Sequence, residues 1–494
     1  MLKIEEISQF ILDDASSDKK KRARNGQKYY EGRHDILDYR LFYYDADGQL
    51  QEDKSRSNIK IPHSFFTELV DQQTQYMLSG DGYFVKSDIP ELQNELDYYF
   101  NENEDFTAEL YELLTGCIVK GFEYMYAYKN ADDRIAFQCA DSLGIVEVRA
   151  QETDDNCDHV IYWYVDRIGK DKQRIKRIQV WDKEQVYYYV QDGEGKIELD
   201  ASVKINPRPH TLYPEDDGVY YENFGFIPFF RLDNGKKQVS ALKPIKELID
   251  DYDLMASSLS NNLVDFDTPL YVVRGFQGDN LDQLQQNIKT KKIIGIPEGE
   301  GGGVDVQTVD IPYAARQTKL GLDEVNIYRF GMGFNSAQMG DGNITNIVIK
   351  SRYALLDLKC NKLEIRLKQF MRKIIKVVLD EINELHGTDY QLKDVYFDFE
   401  REVMTNAADN ASIDHVKAQT EQLKINTLLN LASALDQETI VQSICEILDI
   451  DYEEIKAKLP KSAEQETDDA AAALAEATPE EVPTEPDAGM TVDE

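Results

Sequence analysis

The chain has 494 residues, more than one hydrophobic core can hold, so two or more structural units are expected. Its formal net charge of −37 argues against a protein that wraps nucleic acid, because phosphate binding needs clustered Lys and Arg. The charge does not exclude a protein past which DNA slides without sticking.

Cysteine use and apolar runs predict a soluble, intracellular protein. The five cysteines are widely spaced and form no CxxC pair, so neither a disulfide framework nor a zinc site is expected. The N-terminal stretch "MLKIEEISQF" is acidic and amphipathic rather than a signal peptide. The longest apolar runs fall far short of the ~20 residues that a membrane span needs, so no membrane association is expected.

Residues 1–130 are predicted to be mostly helical. The side chains of "HSFFTELVDQQTQYMLSG" that recur at helical spacing are Phe66, Leu69, Val70, Gln73 and Met77. The stretch "DFTAELYELLTGCIVKG" repeats that design and ends at Gly121, a typical C-terminal stop. "DADG" at 45–48 predicts a turn, and the basic run "DKKKRAR" at 18–24 favours a solvated helix face over a phosphate contact.

Residues 122–232 change to the period of strands. Short runs rich in β-branched and aromatic residues, such as "FEYMYAY" and "HVIYWYV", alternate with turn-like breaks such as "KNADD" and "QDGEG". This pattern predicts an antiparallel meander.

Residues 240–264 return to a helical period, with an apolar stripe on one face. The opposite, polar face carries Asp250, Asp253, Ser257 and Asn261. Residues 268–312 predict a small mixed unit of strands and one helix, and a further helix should span about 313–330. A loop rich in glycine and asparagine, "GMGFNSAQMGDGNITN", then follows.

The longest periodic segment runs over about 344–386 and is the basic exception in this chain. Between Lys350 and Lys376 it has nine Lys/Arg and two acids. Pairing with an acidic face of a neighbouring subunit is the favoured interpretation, and direct DNA contact is the alternative. "VYFDFER" at 395–401 predicts a late strand, and residues 412–459 are helical again.

The last 34 residues, 461–494, carry a net charge of −10 and little to bury, which predicts disorder and leaves −27 for the rest of the chain.

No catalytic pattern emerges from the sequence. It has neither a GxxxxGK[ST] phosphate loop nor an HExxH pair, and its six histidines are scattered. "GEGGGV" at 299–304 is typical of a hairpin turn rather than a nucleotide site. Acid pairs such as Asp250 and Asp251 are abundant in so acidic a chain, and they favour solvated faces over acid–base catalysis. We expect no enzyme activity, cofactor or metal.

Five stretches, taken in order, carry a family resemblance. They are "YYEGRHDIL" at 29–37, "SNIKIPHSFFTELVDQQTQYMLSG" at 57–80, "GFEYMYAYKNADDRIAFQCAD" at 121–141, "GFIPFFRLDNGKKQVSALKPIKELIDDYDLMASSLSNNLVDFDTPLYVVRG" at 225–275 and "IKSRYALLDLKCNKLEIRLKQFMRKI" at 349–374. Their order and spacing resemble the portal protein family of tailed bacteriophages, in its long-tailed branch, over about 29–460. One departure is "TNIVIK", which stands where the family often has Ser-Gly-x-Ala-x-Lys.

The resemblance implies an α+β, mostly helical subunit of a ring, usually of twelve copies, at one vertex of the capsid. The implied parts are a wing at 1–238 completed by a long helix and strand at 347–404, stem helices at 239–264 and 313–330, a clip at 265–312, a tunnel loop at 331–346, and a crown at 405–460 before the acidic tail at 461–494.

Candidate site residues follow from these parts. Those of the tunnel loop that would touch DNA are Asn335, Ser336, Gln338, Asn343, Thr345 and Lys350, unless the loop is a simple disordered connector. Those of the stem that would line the channel are Asp250, Asp253, Ser257 and Asn261, with burial against a neighbouring subunit as the alternative. Those of the clip that would dock partners are Arg274, Gln277, Asp279, Asp282, Lys289, Lys291 and Lys292.

The implied partners are copies of the same chain in a dodecameric ring, double-stranded DNA passing without sequence specificity, the terminase large subunit, head–tail adaptor proteins, and the major capsid and scaffold proteins. The implied location is the virion, with the host cytoplasm during assembly. Two other classes stay open: a cytosolic helical adaptor or scaffold that forms a smaller oligomer without a DNA channel, and a magnesium-dependent nuclease with an unrecognised site.

Overall fold

A computed structural model of the chain describes residues 2–45, 47–54, 56–150, 157–168, 173–193, 195–215, 218–266, 270–274, 303–307, 312–335, 346–401, 407–431, 437–448, 450 and 452. The chain divides into two compact units, Met1–Met404 and Thr405–Glu494. About half of the described residues are helical, and helices and sheets are mixed along the first unit. The predicted α+β class is confirmed, with a larger share of sheet than "mostly helical" implies.

Helices dominate the N-terminal part of the first unit. They are α1 (Ile4–Ser16), α2 (Asp18–Tyr30), α3 (Phe65–Met77), α4 (Pro90–Leu96) and α5 (Glu104–Lys120). Two short strands, β1 (Phe42–Tyr44) and β2 (Leu50–Glu52), flank the predicted turn at 45–48, and β3 spans Val85–Lys86. All five side chains predicted to form the apolar face of α3 are buried.

Helix α5 ends as its sequence predicts. Gly121 follows its last residue with a φ of +93°, in the left-handed region that glycine adopts without a Cβ penalty. A Cβ at this position would lie 2.7 Å from the carbonyl oxygen of Gln238, so the neighbouring chain also leaves room only for glycine.

The predicted meander forms two larger antiparallel sheets and one two-stranded sheet. Its strands are β4 (Phe122–Lys129), β5 (Ile135–Ala140), β6 (Ile145–Val148), β7 (His159–Ile168), β8 (Gln173–Trp181), β9 (Gln185–Asp192), β10 (Ile197–Leu199), β11 (Arg208–Pro209), β12 (Thr211–Glu215), β13 (Gly218–Glu222) and β14 (Phe229–Asp233). One sheet has the order β10-β9-β8-β7-β6, with β11 also on β9, and the other has the order β14-β4-β5. Strands β12 and β13 pair with each other.

Three long elements complete the first unit. Helix α6 spans Lys246–Phe266, α7 spans Tyr313–Gly331, and α8 spans Asn346–His386, which is 41 residues. Helix α6 begins later than predicted because Pro244 lacks a backbone N–H, and residues 241–245 form turns instead.

Three further strands are β15 (Leu270–Arg274) paired with β16 (Gly303–Gln307), and β17 (Tyr396–Phe397) paired with β3.

Helix α5 and one face of α8 lie at the centre of the largest hydrophobic core. Leu113 of α5 and Leu367 and Ile374 of α8 are among its fully buried members. A second core joins α1 to the larger sheet, where Ile7 packs with Ile161. In the second unit, α9 (Ala407–Asn430) contacts α10 (Gln437–Leu448).

The basic run at 18–24 does not form a wholly solvated face, so that expectation is wrong for Lys20. The Lys20 side chain is buried, lies 3.0 Å from Asp14, and donates to the carbonyl oxygen of Ile145 at 2.7 Å. Its ammonium group therefore satisfies a backbone carbonyl that lies 125 positions further along the chain.

Candidate functional site

The two helices predicted as a stem lie side by side and are joined by charge. Lys319 of α7 contacts the carboxylates of both Asp251 on α6 and Asp323 on its own helix. Asp323 is buried, so its charge is compensated within the subunit. The pairing of α6 with α7 thus rests on an ion triad as well as on apolar contact.

The polar face of α6 holds an extended segment of the same chain. Residues 57–63 run along α6. The backbone N–H groups of alternate residues in this segment donate to side chains that are four residues apart on the helix. The pairs are Ser57 with Asp265 at 3.1 Å, Ile59 with Asn261 at 2.6 Å, Ile61 with Ser257 at 3.0 Å, and His63 with Asp253 at 2.9 Å.

The spacing of these pairs has a simple geometric cause. Two residues of extended chain advance by ~6.6 Å, and four residues of α-helix advance by ~6 Å. The two repeats stay in step over four pairs. Backbone N–H groups that find no sheet partner therefore receive side-chain acceptors from the helix, which satisfies donors that would otherwise be left unpaired.

This arrangement corrects the expectation that Asp253 and Ser257 line a channel, whereas for Asp250 and Asn261 channel lining stays a prediction. Asp253 and Ser257 are buried within the subunit, and Asn261 is half-buried beneath Ile59. Asp250 accepts from the hydroxyl of Tyr29 and pairs with Lys246 at 2.6 Å. The polar period was predicted correctly, and at Asp253, Ser257 and Asn261 its partner is the chain's own segment 57–63.

Asp253 lies between two histidines. Its Oδ2 is 2.6 Å from Nδ1 of the buried His34, and its Oδ1 is 2.8 Å from Nδ1 of His63. The Nε2 of His34 faces the carbonyl oxygen of Tyr29 at 3.2 Å. Both ring nitrogens of His34 thus face oxygen atoms.

The electrostatics of Asp253 follow from these contacts. Burial raises the pKa of its carboxyl, but the hydrogen bonds from His34 and His63 outweigh burial, so the pKa lies below its ordinary value. The ring of His34 also stacks on Tyr29, with centroids 4.5 Å apart. A single carboxylate therefore fixes α6 to two separate stretches of the N-terminal region.

The chain leaves α7 through a tightly held turn. Met332 adopts a left-handed conformation (φ +55°), and Gly331 and Gly333 pack against Leu69 of α3 so closely that a Cβ at either would overlap it. Gln72 of α3 then clamps Phe334, donating to its carbonyl oxygen at 2.8 Å and accepting from its N–H at 3.0 Å.

The same turn is held from α8. The ring of Phe334 stacks on Tyr353, with centroids 5.0 Å apart. Lys359 donates to the carbonyl oxygen of Gly331 at 2.9 Å, where the carbonyl end of α7 favours a cation. The entry to the predicted tunnel loop is thus fixed by both α3 and α8.

Two of the six predicted tunnel-loop residues lie in the described part of the chain. Asn335 is half-buried and donates to Glu324 of α7 at 3.0 Å, so its amide is engaged within the subunit. Lys350 is exposed on the first turns of α8. Ser336, Gln338, Asn343 and Thr345 lie outside the described residues.

The predicted clip residues are placed only in part. Arg274 ends β15 opposite Gly303 of β16, which fixes its backbone position. The other six lie outside the described residues: Gln277, Asp279, Asp282, Lys289, Lys291 and Lys292.

Sequence reasoning missed the residues that hold the α6–segment contact together. Asp265, His34 and the alternate residues of 57–63 carry no local signal for this role. Two features of the sequence, taken together, would have indicated this contact. One is a run of polar residues four positions apart on a helix, and the other is an extended stretch that ends in a histidine and whose alternate residues match that spacing.

The described residues contain no group of three or more His, Cys, Asp or Glu side chains arranged to hold a metal ion. Nor does any described helix combine the length and apolar character that crossing a membrane requires.

Comparison with known proteins assigns the chain to a class. Residues 9–465 match the family model described as phage portal protein, SPP1 Gp6-like. The portal protein of Bacillus phage SPP1 is 28% identical over 353 residues, covering 70% of this chain and 67% of that protein. The portal protein of Clostridium phage phiCD119 is 25% identical over 423 residues, covering 83% of this chain and 89% of that protein.

The chain is therefore a structural, non-enzymatic phage component. It belongs to the phage portal protein family, as the sequence resemblance predicted. This membership decides against both classes that the sequence left open, the unrelated cytosolic adaptor and the magnesium-dependent nuclease.

Proposed function

We propose that the chain forms a ring of twelve copies at one capsid vertex, and that double-stranded DNA passes through its centre during packaging and ejection. The observation that carries the proposal is the anchored turn at Gly331–Phe334. It fixes the entry to the predicted tunnel loop, and residues 336–345 of that prediction include one acid, no Lys or Arg, and several amides and hydroxyls. Such a loop can touch phosphates by exchangeable hydrogen bonds.

The charge of the chain supports passage rather than capture. DNA-binding proteins gain affinity from released counterions when Lys and Arg neutralise phosphates. A subunit with a net charge of −37 repels the DNA backbone instead, which lowers sticking to the wall of a channel. Since the α6 carboxylates are engaged inside the subunit, the loop replaces the α6 polar face as the proposed DNA contact.

The parts of the subunit have proposed roles. The wing would comprise 1–238 and 347–404, the stem α6 and α7, the clip 265–312, and the crown 405–460. The terminase would dock on the clip and supply the energy of packaging, and head–tail adaptor proteins would later occupy the same surface. The major capsid and scaffold proteins would meet the wing.

Shortening the loop tests the proposal. Replacing residues 336–345 with a three-residue glycine–serine link should leave ring mass unchanged, because the anchoring contacts of Phe334 stay in place. DNA content per capsid should fall, measured by quantitative PCR of nuclease-treated particles. A chain lacking residues 485–494 is the matched control. Wild-type DNA content in the loop variant would count against the proposed contact.

A further inference from the structure

Helix α8 presents an exposed stripe of three apolar residues, with one lysine among them, that continues into basic residues. Leu355, Leu358 and Ile365 are 42%, 60% and 62% exposed, and Lys362, Arg372 and Lys376 continue the stripe. Successive positions are three, four or seven residues apart, so they share one face of the helix. From Leu355 to Lys376 the stripe is about 31 Å long.

The structure describes no carboxylate within ion-pair distance of the basic members of this α8 stripe. Among the described residues, Lys362, Arg372 and Lys376 have no ion-pair partner within 4 Å, whereas Lys368 on the same helix pairs with Glu364 at 2.7 Å. An acidic chain that leaves three such cations unpaired on one helical face keeps them available for a partner.

The exposed apolar residues of the stripe, Leu355, Leu358 and Ile365, indicate which kind of partner it binds. A DNA backbone would pair with the cations but would leave two leucines and an isoleucine in water. Exposed apolar residues that line up with charges mark a protein interface. The partner must therefore combine apolar contact with negative charge, which excludes DNA as the main occupant.

The chain itself carries a complementary surface. The start of α5 and the turn before it form an acidic edge that consists of Glu102, Glu104, Asp105 and Glu112 with Tyr98 and Tyr111. Tyr98 is 47% exposed, and Glu104, Asp105 and Glu112 have no ion-pair partner among the described residues. A shallow cleft of about 560 Å³ lies on this edge, between Glu102, Glu104 and Tyr111.

The lengths of the two charged surfaces agree. Lys362 and Arg372 are separated by about 15 Å along α8, and Glu104 and Glu112 by about 12 Å along α5. Aromatic rings on the acidic edge match the aliphatic side chains of the stripe.

We propose that the α8 stripe of one subunit docks on the acidic edge of the next copy of this chain. The contact joins two different surfaces, and a contact of this kind builds a ring when its rotation closes around an axis. It rests on the proposed ring function and names the surfaces that build it. It also assigns the basic helix to a neighbouring subunit rather than to DNA.

Complementary charge reversal tests the contact. One variant carries Lys362→Glu and Arg372→Glu, and the other carries Glu104→Lys and Asp105→Lys. Each alone should lose rings in mass photometry, with an apparent Kd raised about 100-fold, because like charges then face each other. An equimolar mixture should form rings again, since each variant's reversed surface meets the opposite charge on the other.

Two further variants sharpen the result. Ile365→Ser should weaken assembly about tenfold, which direct DNA contact would not require. The pair Lys236→Glu and Lys237→Glu changes exposed lysines outside the stripe by the same charge and should keep rings intact. Restoration in the mixture also shows that the reversed chains are folded.

The possible failures are distinguishable. If the wild-type chain forms no ring, the proposed function fails and the contact with it. If wild type forms rings and both reversed variants do so equally well, the contact is wrong while the ring stands. Intact rings with reduced binding of a 30-base-pair duplex in the Lys362→Glu, Arg372→Glu variant would reassign the stripe to DNA.

Discussion

His34 and Asp253 form a buried pair, with Nδ1 of the histidine 2.6 Å from Oδ2 of the aspartate. They are 219 positions apart in sequence and come from the N-terminal region and the middle of α6. The same carboxylate also accepts from the backbone and the ring of His63. The contact therefore sets where the extended segment 57–63 meets the helix.

Replacing Asp253 by Asn should lower the free energy of unfolding by about 3 kcal/mol, because removing one partner of a buried pair leaves the other uncompensated. Urea denaturation followed by circular dichroism measures this change. The control is Asp265→Asn on the same helix, where an exposed carboxylate accepts one backbone hydrogen bond and the expected loss is below about 1 kcal/mol. Equal losses in both variants would contradict the role assigned to Asp253.

The stabilisation by Asp253 should depend on pH in the acid range. The folded-state pKa lies below the ordinary value of 3.8, so the ionised form is favoured by folding. The stabilisation is then fully present above pH 3.8 and is lost as the pH falls through the folded-state pKa. The stability difference between wild type and Asp253→Asn should be fully present at pH 5 and shrink as the pH falls below 3.8. If this stability difference grew as the pH fell below 5, folding would raise the pKa of Asp253 instead of lowering it, which would contradict the assignment.

The turn that leads into the predicted tunnel loop should be sensitive to one added methyl group. In Gly333→Ala the new Cβ would overlap the buried side chain of Leu69, and relieving the overlap should cost about 1–3 kcal/mol. Limited proteolysis between 336 and 345 should accelerate as the Gln72 clamp on Phe334 loosens.

Gly321→Ala in α7 is the matched control for that variant. Nothing lies within 4 Å of a Cβ there, so alanine should stabilise the helix by about 0.5–1 kcal/mol. If both substitutions changed the melting temperature in the same direction, close packing at Gly333 would not be the cause of its sensitivity.

Charge reversal in the proposed clip should separate assembly from packaging. The triple change Lys289→Glu, Lys291→Glu and Lys292→Glu is expected to leave the ring intact and to reduce DNA packaging about tenfold, because it reverses the charge of the surface on which the terminase is proposed to dock. Packaging assays with purified terminase measure this loss. The triple change Lys236→Glu, Lys237→Glu and Lys243→Glu is the control, and normal packaging by the clip variant would refute the docking site.

Local pattern was sufficient for most elements of the first unit. The period of Phe66, Leu69, Val70, Gln73 and Met77 predicted the buried face of α3, since a helix that packs on a core must place its apolar residues three and four apart. The 41-residue helix α8 was predicted to within two residues at its start for the same reason.

Contacts between distant segments were beyond that reasoning. Ser257 and Asn261 look like a solvated face because their sequence neighbours do not reveal that segment 57–63 covers them. Lys20 looks like a surface cation, yet it is buried against backbone carbonyls of residues that follow α5 by more than 20 positions. Both cases depend on unpaired backbone groups elsewhere in the fold, and such groups leave no local trace in sequence.

Cryo-electron microscopy of the purified chain tests the central claim most directly. The account predicts a closed ring near twelve times the 56.7 kDa mass of one chain, with an open central channel wide enough for duplex DNA and residues 336–345 in its lumen. A monomer, a dimer, or a ring with that loop on its outer surface would contradict the account.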